Sequence, residues 1–189
     1  MSGFYLHLIR HGAPETPGLL LGRTDAAPTP SGIAACIEQV ADLQFDAIVS
    51  SDLTRSAAAA DAIAERRGVS TRPDPRWREL DFGKWDGLAP SQVAAEAMAG
   101  FWDDPDANPP PEGERWSSLV ARVSAAIDDI PKRDTLVVAH GGSMRAALAA
   151  LFGFDQRQIW SFDLPYAAVL TLRVWPGTPR SAQIAGLWA

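Results

Sequence analysis

Cysteine is all but absent from this 189-residue chain: Cys36 stands alone, which excludes an intramolecular disulfide. Its neighbours Ile33, Ala34, Ile37 and Val40 place it on the apolar face of a helix, the position of a core residue rather than a nucleophile. Histidine is scarce too, with three, and without a cysteine cluster that number argues against a structural zinc site. No metal is expected. Lysine and arginine (17) are outnumbered by aspartate and glutamate (23), for a net charge of −6. A nucleic-acid surface, which needs a basic stripe, is therefore not expected. No apolar run approaches the roughly 18 residues of a membrane helix. The opening Met-Ser-Gly-Phe-Tyr has no basic segment, and the apolar stretch after it is cut by His7 and Arg10. That is unlike a secretory signal, so the cytoplasm is the expected location.

What is present is the composition of an ordinary globular protein, 47% hydrophobic and 21% charged, at a length that suits one domain over residues 1–189. Residues 4–9 form a nearly continuous apolar run, the pattern of a strand buried on both faces. A loop over 12–28 leads to Thr29-Pro30, which reads as an N-cap with proline at the first helical position, and to a helix ending near Leu43. Residues 45–50 read as a second strand, Ser51-Asp52 as a cap, and the Ala-rich stretch up to Gly68 as a helix. Residues 77–88 show no clear period and read as a loop, and 90–102 as one helix. Prolines 105, 109, 110 and 111 forbid regular structure over 103–113. Leu119, Val123, Ile127 and Ile130 recur at helical spacing, which predicts an amphipathic helix from about Glu114. A strand over 135–139, a helix over 142–152 closed by Gly153, and strands over 167–175 and 182–187 complete the pattern. Alternating strands and helices predict an α/β three-layer sandwich, a mainly parallel sheet with helices on both faces.

Two of the three histidines occupy equivalent places. His11 follows the first strand and precedes Gly12; His140 follows the strand over 135–139 and precedes Gly141-Gly142. Loops leaving the carboxyl ends of parallel strands form binding sites, so both imidazoles are expected on one rim. Arg10 adjoins His11, and Arg55 lies just beyond the second strand. Two guanidiniums and two imidazoles suit a phosphate-shaped anion, and the helix starting near Gly142 adds oriented N–H groups. A local cluster of this kind can hold a small anion within an acidic protein. Nearby arginines lower the pKa of His11 and leave a ring nitrogen free to attack phosphorus. Arg10, Arg55 and a protonated His140 would stabilise the transferring phosphoryl group without a metal ion. A leaving alkoxide needs a proton, and Glu79, among Trp77, Phe82 and Trp85, is the favoured donor. Asp81 and Asp86 are its rivals, and spacing does not decide among the three.

Arg10-His11-Gly12 after an apolar strand resembles the signature of the histidine phosphatase superfamily, in the branch that contains the cofactor-dependent phosphoglycerate mutases. Ser50 to Arg55 resembles the segment with the second phosphate-binding arginine. Glu79 to Gly87 resembles the acid-bearing segment and favours Glu79 as donor. His140-Gly141-Gly142 resembles the second-histidine segment. Within the family the likeness is to α-ribazole phosphatases of cobalamin biosynthesis, through Gly22-Arg23-Thr24-Asp25, the acid-bearing segment and Pro111-Glu112-Gly113-Glu114. Ala13-Pro14 after the first motif and Gly113-Glu114-Arg115 depart from the family pattern.

The resemblance implies a phosphoric monoester hydrolase acting through a phosphohistidine, with no cofactor and a small phosphorylated metabolite as its partner. The catalytic set it implies is His11, Glu79, His140, Arg10 and Arg55. Arg10, Gly12, Gly22, Arg23, Arg55, Trp85 and Gly141 would bind substrate, and a homodimer is compatible with it. A broad-specificity phosphatase is the rival reading. A mutase is disfavoured, because the interval from Glu79 to His140 lacks the longer insertion that closes over substrate in mutases. A non-catalytic binder is disfavoured because every implied catalytic residue is present. His7, in mid-strand, reads as a core histidine. Trp102 is a candidate to line the pocket, and Arg145 to form either an ion pair or a substrate contact.

Overall fold

The apolar run at the start of the chain is the strand β1 (Phe4–Arg10), and it lies inside the sheet as its continuous hydrophobicity requires. The computed structural model describes residues 3–189; Met1 and Ser2, where the reading of the N-terminus began, lie outside the described residues. Helix α1 (Pro30–Gln39) starts at the expected cap, with the Thr29 hydroxyl accepting from Gly32 N at 3.0 Å. It stops short of Leu43, and Arg67 reaches across to satisfy the freed carbonyls of Val40, Ala41 and Leu43. Strand β2 (Ala47–Ser50) and helix α2 (Thr54–Arg67) follow, the helix closed by Gly68 in the left-handed region at φ 66°. A short strand, β3 (Thr71–Pro73), comes next.

The stretch expected as one helix over 90–102 is split. A single turn at Pro90–Gln92 ends where Val93 goes extended and turns into the core, and α3 (Ala95–Asp103) starts afresh. The amphipathic helix is α4 (Trp116–Asp128); β4 (Thr135–Ala139), α5 (Gly141–Phe152) and a short α6 (Gln156–Trp160) lead to β5 (Val169–Trp175) and β6 (Ser181–Trp188).

The six strands lie in the order β3-β2-β4-β1-β5-β6. Three of the five pairings, β3–β2, β2–β4 and β4–β1, are parallel, and the tail adds two antiparallel strands at one edge. Alternation along β4 divides the core in two. Val137 and Ala139 join a cluster with α4 and α5, while Leu136 and Val138 face one with α1 and α2. The expected α/β architecture with a mainly parallel sheet is the one observed. Cys36 and His7 are buried as anticipated. Among the described residues no helix is long and apolar enough to cross a membrane.

Candidate active site

Parallel register brings the chemistry together. Arg10 pairs with Ala139 and Ser50 with Val138, so the residues that follow each strand emerge on one rim. His11 N–H donates to Ala139 O at 2.9 Å, and Ser51 N–H to Val138 O at 2.9 Å. The rings of His11 and His140 consequently meet edge to face with centroids 5.0 Å apart.

His11 Nδ1 lies 2.7 Å from the carbonyl of Gly12. Only a protonated Nδ1 can donate there, so the lone pair is on Nε2. Burial first, then Arg55 and Arg10, lower its pKa to about 3 against the pull of the Gly12 carbonyl. Both arginine contributions have the sign expected from the sequence, with burial the larger cause. Gly12 is dictated by space: a Cβ there would overlap the backbone of Gly32 at the start of α1.

His140 ends β4 and caps α5. Its Nε2 is 2.9 Å from Ser51 Oγ and 3.3 Å from Ser56 Oγ, while Nδ1 is buried with no partner. Burial, His11 and the arginines hold its pKa well below the ordinary value. The chain's own surroundings therefore oppose the protonated His140 expected from the sequence, burial being the first cause.

Arg55, in the first turn of α2, is almost wholly buried. It donates from Nη1 to Thr24 O at 2.9 Å and from Nη2 to Leu21 O at 2.7 Å, leaving Nε unpaired. Arg10 donates to Leu164 O at 2.7 Å, lies 4.2 Å over the ring of Tyr166, and also keeps an unpaired Nε. Arg145, one turn into α5, donates to Gly141 O at 3.3 Å and Phe162 O at 3.1 Å and stacks 4.2 Å over Trp160. It makes no ion pair within 4.0 Å among the described residues, which disposes of the structural pair considered for it.

Glu79 reaches the same rim from the far side. Its Oε2 accepts from Gly142 N–H at 3.0 Å and its Oε1 from Leu80 N–H at 2.8 Å. A side chain at Gly142 would overlap this carboxylate, so glycine is required for the approach. Of the three candidate acids only Glu79 lines the cavity with His11. Asp81 is paired with Arg23 at 2.9 Å, and Asp86 accepts from the backbone N–H groups of Arg23 and Thr24. The aromatic wrapping expected around Glu79 is only partly there. Phe82 shares its cavity, whereas Trp77 and Trp85 are turned into the core.

The cavity has a volume of about 260 Å³. Arg10, His11, Glu79, Gly141 and Arg145 form its polar end, and Trp102, Trp116 and Trp160 line it further out. Several residues expected at the substrate sit elsewhere. Trp85 packs edge to face on Phe101 within the core. Gly22 is pressed against Leu80 and Phe82, where a Cβ would collide with backbone. Arg23 is largely exposed and lines a different hollow with Asp81, Glu114 and Arg122. Nothing in the sequence pattern singles out Arg122 on α4, yet it ties down the loop carrying Glu79. It donates to the carbonyls of Arg76 (2.7 Å), Arg78 (2.8 Å) and Glu79 (2.8 Å) and holds the Glu114 carboxylate at 2.8 and 2.9 Å. Tyr166, Ser51 and Ser56 are likewise visible only in three dimensions.

Comparison with known proteins bears on this arrangement. A glucosyl-3-phosphoglycerate phosphatase of Mycobacterium tuberculosis is 31% identical over 188 residues, covering 89% of this chain and 74% of its own. The solved structure of the mycobacterial enzyme with VO3 superposes with a TM-score of 0.86 at 26% identity, over 98% of each chain. A 2,3-bisphosphoglycerate-dependent phosphoglycerate mutase of Bartonella quintana is 32% identical over 181 residues, 86% of this chain and 88% of that one. A candidate α-ribazole-5'-P phosphatase from Escherichia coli shares the fold, with a TM-score of 0.83 at 23% identity, over 98% of this chain and 96% of its own. The family model described as histidine phosphatase superfamily (branch 1) matches residues 6–185. The chain belongs to that superfamily.

Proposed function

We propose that this protein hydrolyses small phosphomonoesters through a phosphohistidine formed on His11, without a metal ion. The observation that carries the reading is the set of buried donors left without partners. Arg10 Nε, Arg55 Nε, Arg145 Nε and His140 Nδ1 are all buried and unpaired. Buried polar groups are normally satisfied, and those of Arg10, Arg55 and His140, which all act on or touch His11, support the reading of an anion site beside it.

The chemistry follows from the geometry. A phosphate dianion entering the rim takes up the guanidiniums of Arg10 and Arg55, and its charge draws a proton onto His140. His11 Nε2 attacks phosphorus as the ester P–O bond breaks. Glu79, protonated for this step, gives its proton to the leaving oxygen. In the second half, the Glu79 carboxylate accepts a proton from water while the water oxygen attacks phosphorus and the P–N bond breaks. His11 is released with its Nδ1–H still on Gly12 O. The negative charge on the equatorial oxygens is met by cationic side chains throughout.

Hydrolysis is favoured over transfer to a second hydroxyl because the cavity is open to water: Trp102 and Trp160 at its outer end are each 41% exposed. α-Ribazole 5'-phosphate is the substrate suggested by the sequence resemblance. The relatives named for glucosyl-3-phosphoglycerate and phosphoglycerate support broader use, and a broad-specificity phosphatase is the second reading. The decisive measurement is covalent. An alkaline quench during turnover of a labelled phosphomonoester should trap one phosphate on His11. His11→Ala should lose trapping and turnover together; full turnover by that variant would overturn the mechanism.

A further inference from the structure

The loop that leads into β5 is clamped to the Arg10-His11 pair. Arg10 N–H donates to Ala168 O at 3.0 Å, Ala167 N–H to His11 O at 3.3 Å, and the Arg10 guanidinium to Leu164 O at 2.7 Å. A turn closed by Ala168 N–H on Pro165 O at 3.1 Å puts Tyr166 and Ala167 at its two corners. Ala167 takes φ 62°, a region that a residue with a Cβ keeps only where its surroundings hold it there. Strain of this kind gathers at functional sites, and the side chain that this turn presents is Tyr166.

The tyrosine is half-buried and lines the cavity with Arg10, His11 and Glu79. Its ring lies 4.2 Å from the guanidinium carbon of Arg10, and its centroid is 5.6 Å from that of His11. Burial is the first cause that lowers the pKa of Arg55, and Tyr166 is near enough to be among the groups opposing it. The ring is thus bracketed by the nucleophilic histidine and the two arginines beside it. An apolar ring would fill this place without a hydroxyl; the phenol adds one neutral donor that can turn to an oxyanion. Arg10 and Arg55 are anchored on carbonyls and not on that hydroxyl, so it is not used up in holding them.

We propose that the Tyr166 hydroxyl donates a hydrogen bond to a non-bridging oxygen of the phosphoryl group, beside Arg10 and Arg55. This rests on the phosphatase reading and adds a residue to it. The ring face holds the Arg10 guanidinium by cation–π attraction, and the hydroxyl end meets the anion that Arg10 also binds. Because the donor is uncharged, it serves the ester, the transferring phosphoryl group and the phosphohistidine without adding to the positive charge around His11.

Tyr166→Phe keeps the ring over Arg10 and removes only the hydroxyl. It should lower kcat/KM by roughly ten- to hundredfold on p-nitrophenyl phosphate and glycerol 3-phosphate alike, the worth of one hydrogen bond to a charged group. Inhibition by inorganic phosphate should weaken in step. So should the rise in melting temperature that phosphate gives, a reading of binding that serves for a less stable variant as well. Tyr166→Leu, which removes the ring too, should lose more on both esters. Native kinetics and native phosphate binding in Tyr166→Phe would overturn the inference whatever Tyr166→Leu does, because only the ring would then count. A loss confined to glycerol 3-phosphate would also overturn it and would place the hydroxyl at the leaving oxygen. Lost activity with unchanged phosphate binding would overturn it as well. If the native protein hydrolysed neither ester, the phosphatase reading would fall, and the phosphate-induced rise in melting temperature would still test Tyr166.

Discussion

The two sides of the Glu79 loop hold arginines in two different ways. Behind the loop, Arg122 spends all five of its N–H groups on three backbone carbonyls and one carboxylate. In front of it, Arg10, Arg55 and Arg145 are held by carbonyls at their tips, and each keeps a buried Nε with no partner. All four are anchored, but only one set is complete. An arginine that is fully bonded has its ligands in the chain itself. One that is immobilised yet incomplete is prepared for a ligand that comes and goes, because its orientation is fixed in advance and little ordering is left to binding.

The contrast breaks most visibly at Arg55. Arg55→Met removes a buried cation from beside His11 and should lower kcat/KM by about 10³–10⁵-fold, the range for an arginine facing a transferring phosphoryl group. Inhibition by inorganic phosphate should weaken with it. The melting temperature should move far less than for Arg122→Met, since only tip contacts to Thr24 and Leu21 are lost. A large fall in stability with unchanged phosphate binding would put Arg55 with Arg122 on the structural side.

Arg122→Met should show the reverse pattern. It strands the Glu114 carboxylate and three carbonyls in a mostly buried setting, a loss of about 3 kcal/mol or more in unfolding free energy by denaturant titration. Arg122 donates to the Glu79 carbonyl, and under the proposed mechanism it would position the acid without touching a reacting atom. The surviving folded protein should therefore lose more activity on glycerol 3-phosphate, whose alkoxide needs the proton, than on p-nitrophenyl phosphate, whose phenolate does not. Equal losses on both esters would show that Arg122 supports the fold without aiming Glu79.

Much of this was legible in the sequence, and the exceptions have physical causes. β1 and β4 are largely buried on both faces, so they read as nearly unbroken apolar runs, and the His-Gly that follows each is then placed on the rim by topology alone. Arg10, Arg55 and Glu79 come from segments that leave that rim. β3 was not legible because an exposed edge strand of Thr71, Arg72 and Pro73 carries neither an apolar run nor an alternation. The five-residue α6 is too short to show a period. Trp85 and Trp102 carry the same apolar signal, and only the packing of α3 shows that the first faces the core and the second the cavity. Arg122 sits in an amphipathic helix, where an arginine is ordinarily a solvated surface residue. Its partners are brought to it by loops some forty residues earlier in the chain.

The smallest effect concerns protons, and histidine repeats the comparison. His7 is buried and satisfied: Nδ1 meets Thr171 Oγ1 at 2.8 Å and Nε2 meets Gln44 O at 3.2 Å. His140 is buried with Nδ1 unpaired. Burial is the leading cause that lowers the pKa of His7, His11 and His140 in the fold. The unfolded chain, with histidines near 6.5, then binds protons on acidification that the native state refuses. Stability from these groups is complete above about pH 6.5 and is lost as pH falls towards the folded pKa, near 3 for His11. The slope is at most about 1.4 kcal/mol per pH unit for each histidine. An anion in the site changes this for two of the three. Sulfate, which stays doubly charged over this range, should raise the pKa of His140 and His11, let the native state take up protons, and flatten the fall in melting temperature between pH 7 and 5. His7→Gln should remove one histidine's share of the acid lability and leave the sulfate effect intact. His140→Gln should diminish the sulfate effect itself. A slope that sulfate does not alter would mean that the unpaired Nδ1 of His140 does not face the anion.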